Sequence, residues 1–180
     1  MMKLYVGVDN GVSGGLCAML NGEIIGLRPM PKQQSKKITK GKSKVKNEID
    51  ICKVQEWVER LMEKWNVSSD SDFQIQPIFV IEEPGGSKSS QAAVSMAGSF
   101  HSLRAFVELA GYPLHRITPQ SWQRVMLPGT GEDHTKLAAK AKCAELWPWL
   151  SFLRTDRCST PDTGILDAAL IAEWARRNNL

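Results

Sequence analysis

Apolar and polar positions alternate from Lys3 to Asp9, a period of two that predicts a strand. Gly14 to Leu20 predicts a second strand and Glu23 to Arg28 a third. Asn21-Gly22 between them is a strong two-residue hairpin signal, because both central positions of that turn take positive φ. The chain therefore begins as a three-stranded meander whose first strand ends on Asp9. Pro29 and Pro31 close it. The stretch of about 31–47 has neither a strand nor a helix period and reads as a long Lys-rich loop.

Helical spacing takes over from Asp50 to Trp65, where Ile51, Val54, Val58, Leu61, Met62 and Trp65 share a face. Ser68 to Gln76 is a polar connection. Pro77 to Glu82, PIFVIE, is almost wholly apolar, the pattern of a strand buried on both faces, and Pro84-Gly85-Gly86 stops it. Ser89 to Ala110 predicts a helix ended by Gly111. A short strand at Leu114 to Ile117 and a short helix from Pro119 to Met126 follow. Asp133 can cap a helix running to Trp147. Arg154 to Thr163 is irregular, and Ile165 to Arg177 is the last helix. A meander followed by alternating strands and helices predicts an α/β protein, its mixed sheet flanked by helices, in one domain over residues 1–180.

Charge changes this picture in one place. The net charge is +4, but Lys32 to Lys46 holds seven lysines and no acid, so the remainder stands at −3, which is 4 minus 7. No apolar run approaches the roughly 20 residues of a membrane span, and Asp9 interrupts the first strand too early for a signal peptide. The chain reads as intracellular, a cytoplasmic protein with no membrane partner. Its four cysteines and three histidines are scattered without zinc-ligand spacing, the pattern of reduced thiols.

Three acidic points remain: Asp9 at the end of the first strand, Glu82 and Glu83 at the end of the most apolar strand, and Asp167 at the beginning of the last helix, with Asp162 five residues earlier in the preceding loop. Singly, each has an ordinary structural role as a turn, cap or strand-end residue. Together they point elsewhere. If the first and fourth strands lie side by side and parallel, their carboxyl ends share the edge where open α/β sheets bind ligands. A last helix over that edge brings Asp167 to Asp9 and Glu82. Such a cluster needs cations, and Mg²⁺ fits hard oxygen donors. Two such ions about 3.5–4 Å apart are a device for cutting phosphodiesters.

The stretches VGVDNG, VIEEP, HRITPQSWQRVM with DHTK, and DTGILDAALIAEWARR resemble the RuvC-type Holliday-junction resolvases of the RNase H-like superfamily. The look is closest to small phage-encoded members, acting in a bacterial host. The resemblance implies an RNase H-like fold whose five-stranded sheet joins an antiparallel meander to parallel strands. It implies a metal-dependent endonuclease for four-way or branched DNA, leaving 5′-phosphate and 3′-hydroxyl ends, with two Mg²⁺ per site (Mn²⁺ as substitute) and no nucleotide cofactor. It also implies a homodimer, for which the helix from Ala92 to Leu109 is the candidate face. Asp9, Glu82 and Asp167 match the family's metal-binding carboxylates. Where the bacterial pattern has a fourth acid this sequence has Gly164, and Asp162 is the nearest substitute. Glu83 is a possible accessory acid, and Lys136 is a candidate phosphate contact. Where bacterial relatives carry an aromatic residue this chain has Gly85, in a loop with Lys88. Lys36, Lys37, Lys40, Lys42, Lys44, Lys46 and Lys88 are the expected DNA contacts, by counterion release. Gly11, Gly14 and Gly15 are expected to leave room for a DNA backbone.

Three alternatives stay open. DNGVSGG also resembles the phosphate loop of actin-like and sugar-kinase ATPases, whose chains are much longer. The chain could be a non-catalytic DNA-binding module on the same fold. It could also be a nuclease for flaps, forks or single strands.

Overall fold

The computed structural model describes residues 2–39, 42–68, 74–86, 89–131 and 134–180. The meander forms as expected: β1 (Met2–Val8), β2 (Gly15–Leu20) and β3 (Glu23–Pro29). Asn21 and Gly22 both take positive φ, 51° and 86°, as a two-residue hairpin turn requires. After the first helix, α1 (Ile51–Ser68), β6 (Ile75–Glu82) runs parallel to β1, with Val8 opposite Ile81. Beyond α2 (Ser90–Leu109), β7 (Leu114–Ile117) adds in parallel to β6. The sheet order is β3-β2-β1-β6-β7. This mixed sheet with a three-stranded antiparallel meander is the fold class expected from the sequence.

The pleat explains how it is buried. Leu4, Val6 and Val8 of β1 face α1 and α2, packing with Val54, Val58 and Leu103. Tyr5 of β1 and Ile78 and Val80 of β6 face the other way, toward α3 (Pro119–Met126), α4 (Thr135–Leu146) and α5 (Thr163–Arg177). On that face Gly7 lets α5 lie directly on β1: a Cβ there would come within 2.5 Å of the Ala172 amide nitrogen. β6 is buried on both sides, which is why its sequence is almost uninterrupted apolar. Among the described residues no helix is long and apolar enough to cross a membrane.

Three expectations need correction. The Lys-rich stretch read as a loop contains two strands, β4 (Lys32–Thr39) and β5 (Lys42–Ile49), paired antiparallel as a separate ribbon. Backbone pairing holds it, and neither face carries a continuous apolar row. Second, α5 starts at Thr163, with Asp162 as its N-cap, so Asp167 lies in its second turn. Third, β6 begins at Ile75 rather than Pro77. The proposed cap Asp133 lies outside the described residues, and His134 occupies the N-cap of α4.

Candidate functional site

β1 and β6 are parallel and in register, so Asp9 and Glu82 emerge together at the carboxyl edge of the sheet. α5 lies across β1 at Gly7 and carries Asp167 to the same place. Asp9 shares a hydrogen bond with Glu82. Burial drives the Asp9 carboxyl well above the ordinary carboxylate range, and the charges of Glu82, Asp167 and Asp162 push it further. Burial also raises Glu82, opposed by hydrogen bonds from Trp122 and Asp9. Asp167 is pushed up to about 7, first by burial and then by Glu82, with Lys136 acting against the rise.

Burial first, and the mutual repulsion of the acids second, thus disfavour the ionised forms of Asp9 and Asp167. That is the electrostatic condition a hard cation relieves. Among the described residues no three His, Cys, Asp or Glu side chains already stand in a metal-holding group. The donor set still fits Mg²⁺, which typically takes one or two carboxylates and completes its shell with water and substrate phosphate.

The other predicted residues fall in different places. Asp162 is near enough to raise Asp9 and Asp167, but both its oxygens are engaged. Oδ1 accepts from the Gly164 and Ile165 amides, and Oδ2 from Arg154 Nε. Glu83 points away from Glu82, as strand alternation requires, and pairs with Arg116 at 3.7 Å. Lys136 is exposed at the start of α4, with its charge felt at Asp167. Of the lysines, Lys36 and Lys46 are exposed on the ribbon, and Lys46 pairs with Glu48 at 3.5 Å. Lys40, Lys88 and the side chains of Lys37, Lys42 and Lys44 lie outside the described residues and atoms.

Gly14 and Gly15 are packed against backbone rather than open, whereas a Cβ on Gly11 would meet nothing within 4 Å. A Cβ on Gly14 would strike the Asp9 carbonyl, and one on Gly164 would sit 2.5 Å from the Gly14 carbonyl carbon. Gly14 and Gly164 form an isolated parallel bridge that seats the start of α5 on the β1–β2 loop. A side chain at 164, including a fourth acid, has no room. Two further residues carry no clear sequence signal. Trp122, buried in α3, donates from Nε1 to Glu82 Oε1 at 2.8 Å. Asn10, buried beside Asp9, donates from Nδ2 to the Met96 carbonyl of α2 at 3.1 Å. The tryptophan lies within the motif HRITPQSWQRVM, but only the fold shows which carboxylate it meets.

No protein-family model matches the chain, and no curated protein matches it in sequence. Among solved structures it is similar to Thermus thermophilus RuvC in complex with a Holliday junction substrate, at 11% identity and a TM-score of 0.47. That alignment covers 98% of this chain and 96% of the other. A second Thermus thermophilus RuvC structure aligns at 13% identity with a TM-score of 0.46, over the same shares of the two chains.

Proposed function

We propose that the protein is a Mg²⁺-dependent endodeoxyribonuclease that cuts four-way or branched DNA, as a single nuclease domain working in a homodimer inside the cell. The observation that carries this reading is the meeting of Asp9, Glu82 and Asp167 at the carboxyl edge of two parallel strands. The sequence motifs around those acids add the substrate class. Asp9, Glu82 and Asp167 would hold the two ions. Bound there, such ions lower the pKa of a water nucleophile and neutralise the leaving 3′ oxygen. Trp122 holds Glu82 in the orientation that faces Asp9. Lys136 would reach the phosphate from the α4 side. Asp162 would act through its charge and its cap of α5 while Arg154 holds it, and Glu83 through Arg116. The ribbon lysines would grip flanking phosphates. The products would carry 5′-phosphate and 3′-hydroxyl ends.

The test is cleavage of a mobile four-way junction, a fork, a duplex and a single strand, with Mg²⁺, with Mn²⁺ and with neither. Asp9→Asn is expected to abolish cutting while junction binding persists. Cutting that survives both Asp9→Asn and Asp167→Asn would remove the metal assignment. Gly164 in the fourth acid's place favours one second reading, junction binding without cleavage. Wild-type protein that binds junctions but stays inert in both metals would establish it.

A further inference from the structure

Between α4 and α5 the chain makes a loop whose neck is closed by backbone. The Asp162 amide donates to the Phe152 carbonyl at 2.8 Å, and Leu153 and Pro161 form an isolated antiparallel bridge. Phe152 roots this neck in the core, buried against Trp147 with ring centroids 6.2 Å apart. Arg154 is the first residue beyond the neck, and its Nε donates to Asp162 Oδ2. The loop has other ties, so the ion pair is not what closes it.

The two partners are unequally held. The Asp162 side chain is 9% exposed and that of Arg154 is 37% exposed. Asp162 is fixed, because its Oδ1 caps α5 through the Gly164 and Ile165 amides. Arg154 hangs from an irregular loop with its side chain partly in water, so it is the partner that can leave. A DNA phosphate would offer the guanidinium the same fork of oxygens that a carboxylate does.

Asp162 also borders the acid cluster. Gly164, two residues on, is bridged to Gly14, which is packed against the Asp9 carbonyl. The charge of Asp162 is felt at both Asp9 and Asp167. A divalent ion entering the cluster therefore meets one carboxylate whose charge Arg154 already answers.

We infer that Arg154 controls metal loading. Paired with Asp162, it keeps the acid cluster at low affinity for divalent ions, and a DNA phosphate that draws the guanidinium away raises that affinity. The inference rests on the proposed nuclease reading and adds to it a coupling between substrate and metal, which by linkage acts in both directions.

Arg154→Gln tests the first half. Mg²⁺ binding to the DNA-free protein is read at pH 8 from the rise in melting temperature across a Mg²⁺ titration. The variant leaves the Asp162 charge unanswered and is expected to bind Mg²⁺ about ten-fold more tightly, the order expected for one added charge near a divalent ion at a partly buried site. Arg154→Lys keeps the charge and should stay near wild type. Adding Asp162→Asn to Arg154→Gln should cancel the gain, since Asn still caps the helix but carries no charge. This double variant also tests the second half, because its net charge equals that of wild type. In EDTA, by fluorescence anisotropy, it should bind a four-way junction about three- to ten-fold more weakly, with a salt slope smaller by roughly 0.9, the loss of one phosphate contact. Arg154→Gln that binds Mg²⁺ no more tightly than wild type, or that loses the fold, overturns the inference. So does a double variant with wild-type junction affinity and salt slope. With a wild type that cuts junctions, any of these results leaves the nuclease reading standing. A wild type that neither binds Mg²⁺ nor cuts overturns both.

Discussion

Replacing Asp167 by Asn is expected to stabilise the metal-free protein, and to do so more at pH 8 than at pH 5. The cause is burial beside Glu82, which lifts the Asp167 carboxyl from 3.8 to about 7. A raised carboxyl pKa means that the folded state binds a proton the unfolded chain has released. Stability from this group is therefore greatest below pH 3.8, falls as pH rises, and levels off above about 7. Between pH 5 and 7 the loss is about 1.4 kcal/mol per pH unit, or about 2.7 kcal/mol. For a domain of this size 1 kcal/mol moves the melting temperature by about 2–4 °C, so the gap corresponds to about 5–11 °C. Asn cannot ionise, so Asp167→Asn escapes this loss. Any fixed cost of the substitution cancels between the two pH values. The assay is a pair of thermal melts in EDTA, at pH 5 and pH 8, for wild type and variant. Adding Mg²⁺ at pH 8 should then raise the wild type more than the variant. A variant advantage that does not grow with pH would refute the reasoning, as would a variant less stable than wild type at pH 8.

Trp122→Phe keeps an aromatic ring but removes the donor to Glu82 and shrinks a buried side chain, with an expected cost of at least about 1.5–3 kcal/mol, the range for a hydrogen bond to a charged group. It should also raise the Mg²⁺ concentration giving half-maximal cleavage, and an unchanged metal dependence would deny Trp122 its positioning role. Gly164→Asp should lower stability by about 1–3 kcal/mol or more through overpacking against Gly14. A gain in cleavage at unchanged melting temperature would count against that packing. Converting Lys36 and Lys46 to Gln should weaken DNA binding and flatten its salt dependence with the fold intact, read by anisotropy and thermal melting.

The five strands of the main sheet were readable because each turns apolar side chains toward the core, and burial writes a period into the sequence. β6, buried on both sides, and the Asn21-Gly22 turn left the plainest traces. The ribbon left none. Neither of its faces carries a continuous apolar row, so its register is held by the backbone, and a run of Lys, Ser and Gln looks the same in a strand as in a loop. Asp9 and Glu82 could be picked out by their places at strand ends, and Asp167, in the second turn of α5, by the motif around it. The roles of Asp162 and Gly164 could not, because they depend on how closely the first turn of α5 meets a loop from the far end of the chain. Trp122 and Arg154 were invisible for the same reason: each touches a carboxylate distant in sequence or hidden in an irregular segment.

The clasp between Gly14 and Gly164 also bears on timing. Asp9 and Glu82 are made early, whereas Asp167 lies on the last helix, nearly the whole chain later. Synthesis runs from the N-terminus, so a chain still emerging from the ribosome carries the first two acids without the third. Closing so long a loop is also among the slower steps of folding. The acid cluster is therefore completed last, and a chain synthesised only through β6 carries Asp9 and Glu82 without Asp167.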